Sequence, residues 1–516
     1  MRIAITFRRV MAVAVVAGGA CIAAYAANHE RTASPTPATL AVTTKSDAAR
    51  EDYEMGMKDR EDLLYIEQGT DYMRLAVKAD PHFALAHAAL AYFTTDPVEE
   101  KRELELSVKN LSHASPDERL LIKWLNGTKD GNLVPAIAAM NDLLAKYPND
   151  KRLANLSAEW LCSGQQNFER GEDVLQKVLK NDAAYYPALN NLAYCYALSG
   201  RVNLAPALME RYVRLLPNQP NPEDSYGELL RMAGDYDGAI THYRAALKID
   251  PKFTTSQLGI ASTLALMGDE EAARPEYSKA VEMTSDRATK LNYRMLMALT
   301  YYRAGQADVA RKQFTDLATE AHQADLAIQE AEAQRTMALF NTDTAAALTD
   351  IEAAEGTLSE KHVVAPEARD VELATIEQTR AFIAARANRL DATQKAFDTL
   401  KTLAASSRNN LIQQSFHSGN GALLFLAGKH SEAISELQYD PRNPLSLTLL
   451  AVVQAKAGAT ADAHATLETL AAIIDERVET AFAVPQARAG LKAAADVVAP
   501  QPATTAQSNG HRGGPM

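Results

Sequence analysis

From Gly234 to Pro251 the chain reads GDYDGAITHYRAALKIDP, with Ala239, Tyr243 and Ala246 three or four residues apart. That spacing predicts a helix with one small-and-large packing face. Gly234 can take the left-handed conformation that closes a preceding helix, and Asp235 can cap the next one. Pro251 ends the element, because it lacks an N–H and restricts the residue before it. The same punctuation recurs. Gly200, Gly234 and Gly268 are spaced by 34, as are Ala205, Ala239 and Ala273, and Met209, Tyr243 and Tyr277, while Pro217 and Pro251 share the step. A further unit follows a three-residue insertion at Gly305, Ala310 and Phe314, and Gly171, Leu175 and Val178 lie 34 before Ala205, Met209 and Tyr212. A fixed period of this length predicts a repeat array.

Variants of the unit extend both ways. YMRLAVKADP ends at Pro81 and ALAHAALAYF follows; Ser115 and Pro116 open another helix, and PAIAAMNDLLAKYP ends at Pro148. Downstream, RAFIAARANRLDATQKAFDTL, GALLFLAGKHSEAISEL and LLAVVQAKAGATADAHATLETL repeat the layout of helix, Gly or Asn turn, Ala-containing helix. The expected organisation is an array over 50–319, a helical region without the consensus over 320–385, the expected place of a kink or break between two sub-arrays, and a second array over 386–495. Abundant alanine and only 6% aromatic residues agree with an all-α chain.

The 34-residue unit resembles the tetratricopeptide repeat (TPR), a pair of antiparallel helices. The resemblance implies a right-handed solenoid in which Gly227 and Ala239 let paired helices approach closely. It also implies a groove lined by the first helix of each unit. With units starting at Asp150, Tyr186, Pro220, Thr254 and Leu291, the groove slots hold Lys151, Asn155, Asn190, Asn191, Tyr194, Asp224, Glu228, Arg231 and Tyr302. Asn can donate to and accept from a peptide backbone, and Tyr offers contact area at low entropic cost. The implied partner is a protein or extended peptide with some basic character, and Asn191 and Tyr194 are expected to point into solvent when no ligand is bound. A carboxylate clamp of the chaperone-binding kind is not implied, because Asn190 or Asp224 stands at its Lys position and Tyr194 or Glu228 at its Asn position.

Other chemistry is sparse. The sequence has no His-Glu-x-x-His, Cys-x-x-Cys, Gly-x-Ser-x-Gly or phosphate loop, so no enzyme, cofactor or metal is expected. His82 and His87 read as packing or solvated residues, and Glu99, Glu100, Glu103 and Glu105, interleaved with Lys101, Arg102 and Lys109, as a solvated face. The net charge of −12 argues against a nucleic-acid partner.

Residues 1–26 read as a signal peptide. Arg2, Arg8 and Arg9 precede an apolar run, and Ala24-Tyr25-Ala26 suits cleavage, giving a periplasmic or secreted chain starting near Ala27. Losing three arginines and no acid would take the charge to −15. The 18 residues Val10 to Ala27 also reach the short limit of an uncleaved membrane anchor. Cys21 matches a lipoprotein site poorly. Residues 27–49 are expected to be a flexible linker and 496–516 a disordered tail. Cys162 and Cys195, all that cleavage would leave, read as two small buried hydrophobes rather than a bridge.

Overall fold

The computed structural model describes residues 39–62, 66–359 and 364–498, and within these it is all-α. The expected leader, residues 27–38 of the expected linker and residues 499–516 of the expected tail lie outside the described residues; residues 496–498 continue the last helix. Twelve antiparallel helix pairs follow one another, with a final helix after them. Each pair has an inner A helix, given odd numbers below, and a B helix, given even numbers. The first three pairs are α1 (Asp47–Asp62) with α2 (Ile66–Ala79), α3 (Ala84–Phe93) with α4 (Pro97–Lys109), and α5 (Pro116–Lys129) with α6 (Leu133–Lys146). Then come α7 (Lys151–Glu159) with α8 (Phe168–Asn181), α9 (Tyr186–Leu198) with α10 (Pro206–Leu215), and α11 (Pro220–Met232) with α12 (Tyr236–Ile249). The middle pairs are α13 (Thr254–Met267) with α14 (Glu270–Met283), α15 (Arg287–Arg303) with α16 (Ala307–Gln323), and α17 (Ala327–Phe340) with α18 (Thr344–Ser359). The last are α19 (Pro366–Arg386) with α20 (Leu390–Ser406), α21 (Asn410–Leu426) with α22 (His430–Leu437), and α23 (Pro444–Lys456) with α24 (Thr460–Ala471), before α25 (Val478–Val498).

The repeat punctuation works as the residues predict. Gly200, Gly234, Gly268 and Gly305 close A helices with φ between 73° and 84°. Asp235 Oδ1 accepts from Gly238 N at 3.0 Å, capping α12. Tyr243 shows the packing rule most directly. Its buried ring lies between Gly227 of its own pair and Gly259 of the next A helix, and a side chain on either glycine would run into it. Where the consensus glycine is missing, Gln166 and Asn388 adopt the positive φ instead, and Asp325 adopts it in the turn from α16 to α17. Asp and Asn tolerate that region better than most residues. Residues 327–359, without the consensus, still form a regular A–B pair, α17 with α18.

A helices pack on A helices along the array, as in α9 with α11 and α11 with α13, so the odd-numbered helices form the concave wall. The superhelix is wound tightly enough for distant A helices to meet, α5 touching α19 across the interior. Arg442, between α22 and α23, stacks over Phe168 of α8 with 5.0 Å to the ring centroid.

Three expectations need correction. Cys162 and Cys195 form a disulfide. They are 33 residues apart, nearly one repeat, so adjacent units bring them side by side, and Gly171 leaves space where a side chain would strike Cys162 Sγ. Residues 39–46 are not a free linker. Leu40 N donates to Asp150 Oδ2 at 2.9 Å, Thr43 N to Glu118 Oε1 at 2.6 Å, and Thr44 Oγ1 to Asp80 Oδ2 at 2.5 Å. Asp150 and Glu118 sit at the starts of A helices α7 and α5 and Asp80 in the turn leading into α3, so the segment runs along successive A-helix entrances; α1 begins already at Asp47. Finally, Glu100 and Glu103 are buried rather than solvated, because each has a cation: Glu100 pairs with Lys129 at 2.8 Å, and Glu103 with Arg102 at 2.8 Å. Glu103 also meets His87 Nδ1 at 2.5 Å, which accounts for His87 as a packing residue.

Candidate binding site on the concave face

A cavity of about 510 Å³ opens on the inner wall between α9, α11, α15, α17 and the connection from α24 to α25. Its apolar side comes from Leu198, Met232, Met295, Leu296, Leu299 and Phe314. The two methionines give that wall side chains that can reshape around a guest. Polar and charged side chains complete the lining. Tyr194, Glu228 and Arg231 stand on one side, Glu332 on another, and Asp475 to Arg477 close it.

The period explains why three of the sequence-predicted residues meet here. Tyr194 on α9 and Glu228 on α11 are one repeat apart, and the tyrosine hydroxyl donates to Glu228 Oε2 at 2.6 Å. Arg231, one turn further along α11, donates to Tyr243 Oη at 3.3 Å and lies 3.4 Å from Glu228 Oε1. Besides that ion pair with Glu228, it forms a closer one with Glu476, 245 residues away in sequence. Burial opposes the guanidinium charge, but Glu476, with Tyr243 and Glu228, holds its pKa above the ordinary value.

The other predicted residues do not line this cavity. Asn155 and Asn191, on neighbouring A helices, pair with each other, Asn191 Nδ2 donating to Asn155 Oδ1 at 3.0 Å. Asp224 is buried and accepts from Ser256 Oγ at 2.5 Å on α13. Burial pushes its carboxyl up to about 7, against the Ser256 hydrogen bond. Asn190 is only 1% exposed and its amide has no hydrogen-bond partner among the described residues. Tyr302 stacks on Phe340 with 4.1 Å between centroids, and Lys151 pairs with Asp182 at 2.6 Å. The expectation that Asn191 and Tyr194 point into solvent is therefore wrong: Asn191 bonds to Asn155 and Tyr194 to Glu228. Tightly stacked A helices turn their equivalent slots toward each other, and polar groups there must satisfy one another.

The sequence reading missed the C-terminal contribution. Arg335 on α17, buried, pairs with Glu372 on α19 at 3.1 Å and with Glu479 on α25. Burial pushes Glu372 up to about 7, with Arg335 pulling the other way. Glu332, one turn before Arg335, is also raised by burial, again opposed by Arg335. The signal available was IIDER (Ile473 to Arg477), a charged break between two alanine-rich helices; its position on the inner wall depends on the winding of the whole array. Among the described residues no group of three or more His, Cys, Asp or Glu could hold a metal ion.

These features define a helical-repeat array with a cavity on its inner wall. Tetratricopeptide-repeat family profiles match residues 163–220 and 225–253. Over 194 residues the chain is 28% identical to the TPR repeat-containing protein YpiA of Bacillus subtilis, covering 36% of this chain and 44% of that one. Over 153 residues it is 24% identical to anaphase-promoting complex subunit 3 of Schizosaccharomyces pombe, covering 30% and 23%. The chain thus spans less than half the length of these curated relatives. Among solved structures, the anaphase-promoting-complex assembly Cut9–Hcn1 matches at TM-score 0.40 and 15% identity over 79% of this chain and 77% of that one. The type IV pilus biogenesis factor PilW matches at TM-score 0.27 and 17% identity over 45% and 92%. The chain is a tetratricopeptide-repeat protein.

Proposed function

We propose that this protein is a scaffold that binds a protein or extended peptide outside the cytoplasm and has no catalytic step of its own. One observation carries the reading: the concave wall holds an apolar cavity with Tyr194, Glu228 and Arg231 in its lining. An extended ligand needs an apolar anchor point with a few fixed polar groups around it, and this wall supplies both. The seating of residues 39–46 on A-helix carboxylates supports it, since it is the same kind of contact made within one chain. The Cys162–Cys195 disulfide supports an oxidising compartment.

Binding is tested by capture from the exported fraction, comparing the full chain with Tyr194→Ala and with Lys279→Ala on the outer helix α14. Loss of about 1–3 kcal/mol of affinity is expected for Tyr194→Ala, the usual range for a central interface side chain. Lys279→Ala should capture normally. Equal capture by all three proteins, each folded, would remove the site from the concave wall. Mass spectrometry of the N-terminus tests location. A start near Ala27 supports export with cleavage, whereas retention of residues 1–26 would make the protein a membrane-tethered assembly or recruitment factor of the envelope.

A further inference from the structure

The connection between α24 and α25 is a non-helical run, residues 473–477, in an otherwise helical wall. Ile474 reaches the turn between α11 and α12, its Cδ1 lying 3.3 Å from where a side chain on Gly234 would begin. Two residues on, Glu476 pairs with Arg231. Arg477 folds back to Asp475 at 2.7 Å and donates to the Arg442 carbonyl at 3.0 Å. This stretch therefore meets the concave wall as an incoming peptide would, with one apolar side chain at a turn and one carboxylate on the arginine.

The way it is held differs from the other non-helical segment. Residues 40 and 43 are tied to the array by their main-chain amides. Among the described residues, the main-chain amides of Ile474, Asp475 and Glu476 donate to no group of the array; side chains alone seat them. Exchanging side-chain contacts for identical ones from another chain leaves no new unpaired backbone group. The charge balance is equally selective. A guest bringing its own carboxylate would replace Glu476 one for one, whereas a basic guest would set a second cation beside the buried Arg231, with Glu228, ion-paired to it at 3.4 Å, the anion left at its side.

We propose that Ile474–Asp475–Glu476 is a resident competitor for the concave site. The partner is an acidic extended peptide that places an apolar side chain at Gly234 and, two residues later, a carboxylate on Arg231. This rests on the scaffold reading above, and it reverses the basic character expected from the groove residues alone. A tethered segment competes at an effective concentration in the millimolar range, so it masks a weak free peptide and a partner must exceed it.

The test uses a blocked fluorescent peptide with the sequence AIIDERV, residues 472–478, titrated onto the full chain and onto the Ile474→Ala, Glu476→Gln double variant. At least about 10-fold tighter binding to the double variant is expected, because its internal competitor is weakened. A peptide with its Glu changed to Gln should lose most of that affinity, and one with Glu changed to Lys should not bind. Should the double variant fail to fold by circular dichroism, the same three peptides titrated into the millimolar range on the unmodified chain must keep that order. Absence of acidic-peptide binding to a folded double variant, or equal binding of the Lys peptide, overturns the proposal. If partner capture by the concave wall succeeds in those circumstances, only the competitor is wrong; if capture fails as well, the scaffold reading falls with it.

Discussion

Replacing Gly227 tests the packing register at its tightest point. A Cβ built there lies 3.0 Å from Tyr243 Cδ1 and Cε1 and 3.1 Å from the Ala239 carbonyl oxygen. Tyr243 cannot retreat freely, because Gly259 of the next unit backs its ring. Gly227→Ala therefore sets a crowding cost against the roughly 1 kcal/mol that alanine gains over glycine inside a helix. Gly227→Leu adds three more carbons to a filled space and should cost about 1–3 kcal/mol or more. Two controls bracket the result. Gly356 on α18 has nothing within 4 Å of its position, so Gly356→Ala should stabilise by about 0.5–1 kcal/mol. Lys429 lies in a turn with only an exposed 3.4 Å ion pair to Glu432, so Lys429→Ala should stay within about 0.5 kcal/mol. Urea denaturation followed by circular dichroism reads all four variants. Because repeat arrays can unfold in pieces, hydrogen exchange of α11 and α12 should accompany it. Equal midpoints for Gly227→Leu and Lys429→Ala, or destabilisation by Gly356→Ala matching that of Gly227→Ala, would refute the register.

Other expectations follow from the same contacts. Asp224 titrates near 7 in the folded chain and at 3.8 when unfolded, so the folded state holds the extra proton between those values and stability falls as pH rises through them. Asp224→Asn should remove that slope, so its stability relative to the unmodified chain should be higher at about pH 8 than at about pH 5 in paired urea titrations. Replacing both Cys162 and Cys195 by alanine opens a closed loop of 33 residues and should cost about 3–4 kcal/mol on chain-entropy grounds, read from the same titrations against the oxidised chain. Tyr194→Phe removes the 2.6 Å hydrogen bond to Glu228 and should lower stability by about 0.5–1.5 kcal/mol, measured by melting without any partner; an unchanged curve would restore the solvent-facing picture of that side chain.

What the sequence showed and what it hid divide by range. Gly234, Asp235, Tyr243 and Pro251 act within one unit or on its immediate neighbour, so their roles were legible from spacing alone. The concave slots were placed correctly on A helices, yet their state was misjudged. A slot one repeat away is not empty space but a neighbouring side chain, as Tyr194 with Glu228 and Asn155 with Asn191 show. The period held that information. So did Cys162 and Cys195, whose separation falls one short of a repeat, a distance that brings the turn after α7 beside α9 of the next unit. Weighing cysteine number against the size of the chain pointed away from a bridge, while the 34-residue step pointed toward one. The contact of Arg231 with Glu476 is a different case. It depends on the small rotation of each pair summed over the many units between them, and no local pattern encodes that sum. A one-residue change in a single turn between α12 and α24 would leave every repeat recognisable. It would also carry Glu476 away from Arg231, so the cavity wall depends on a property that belongs to the winding as a whole.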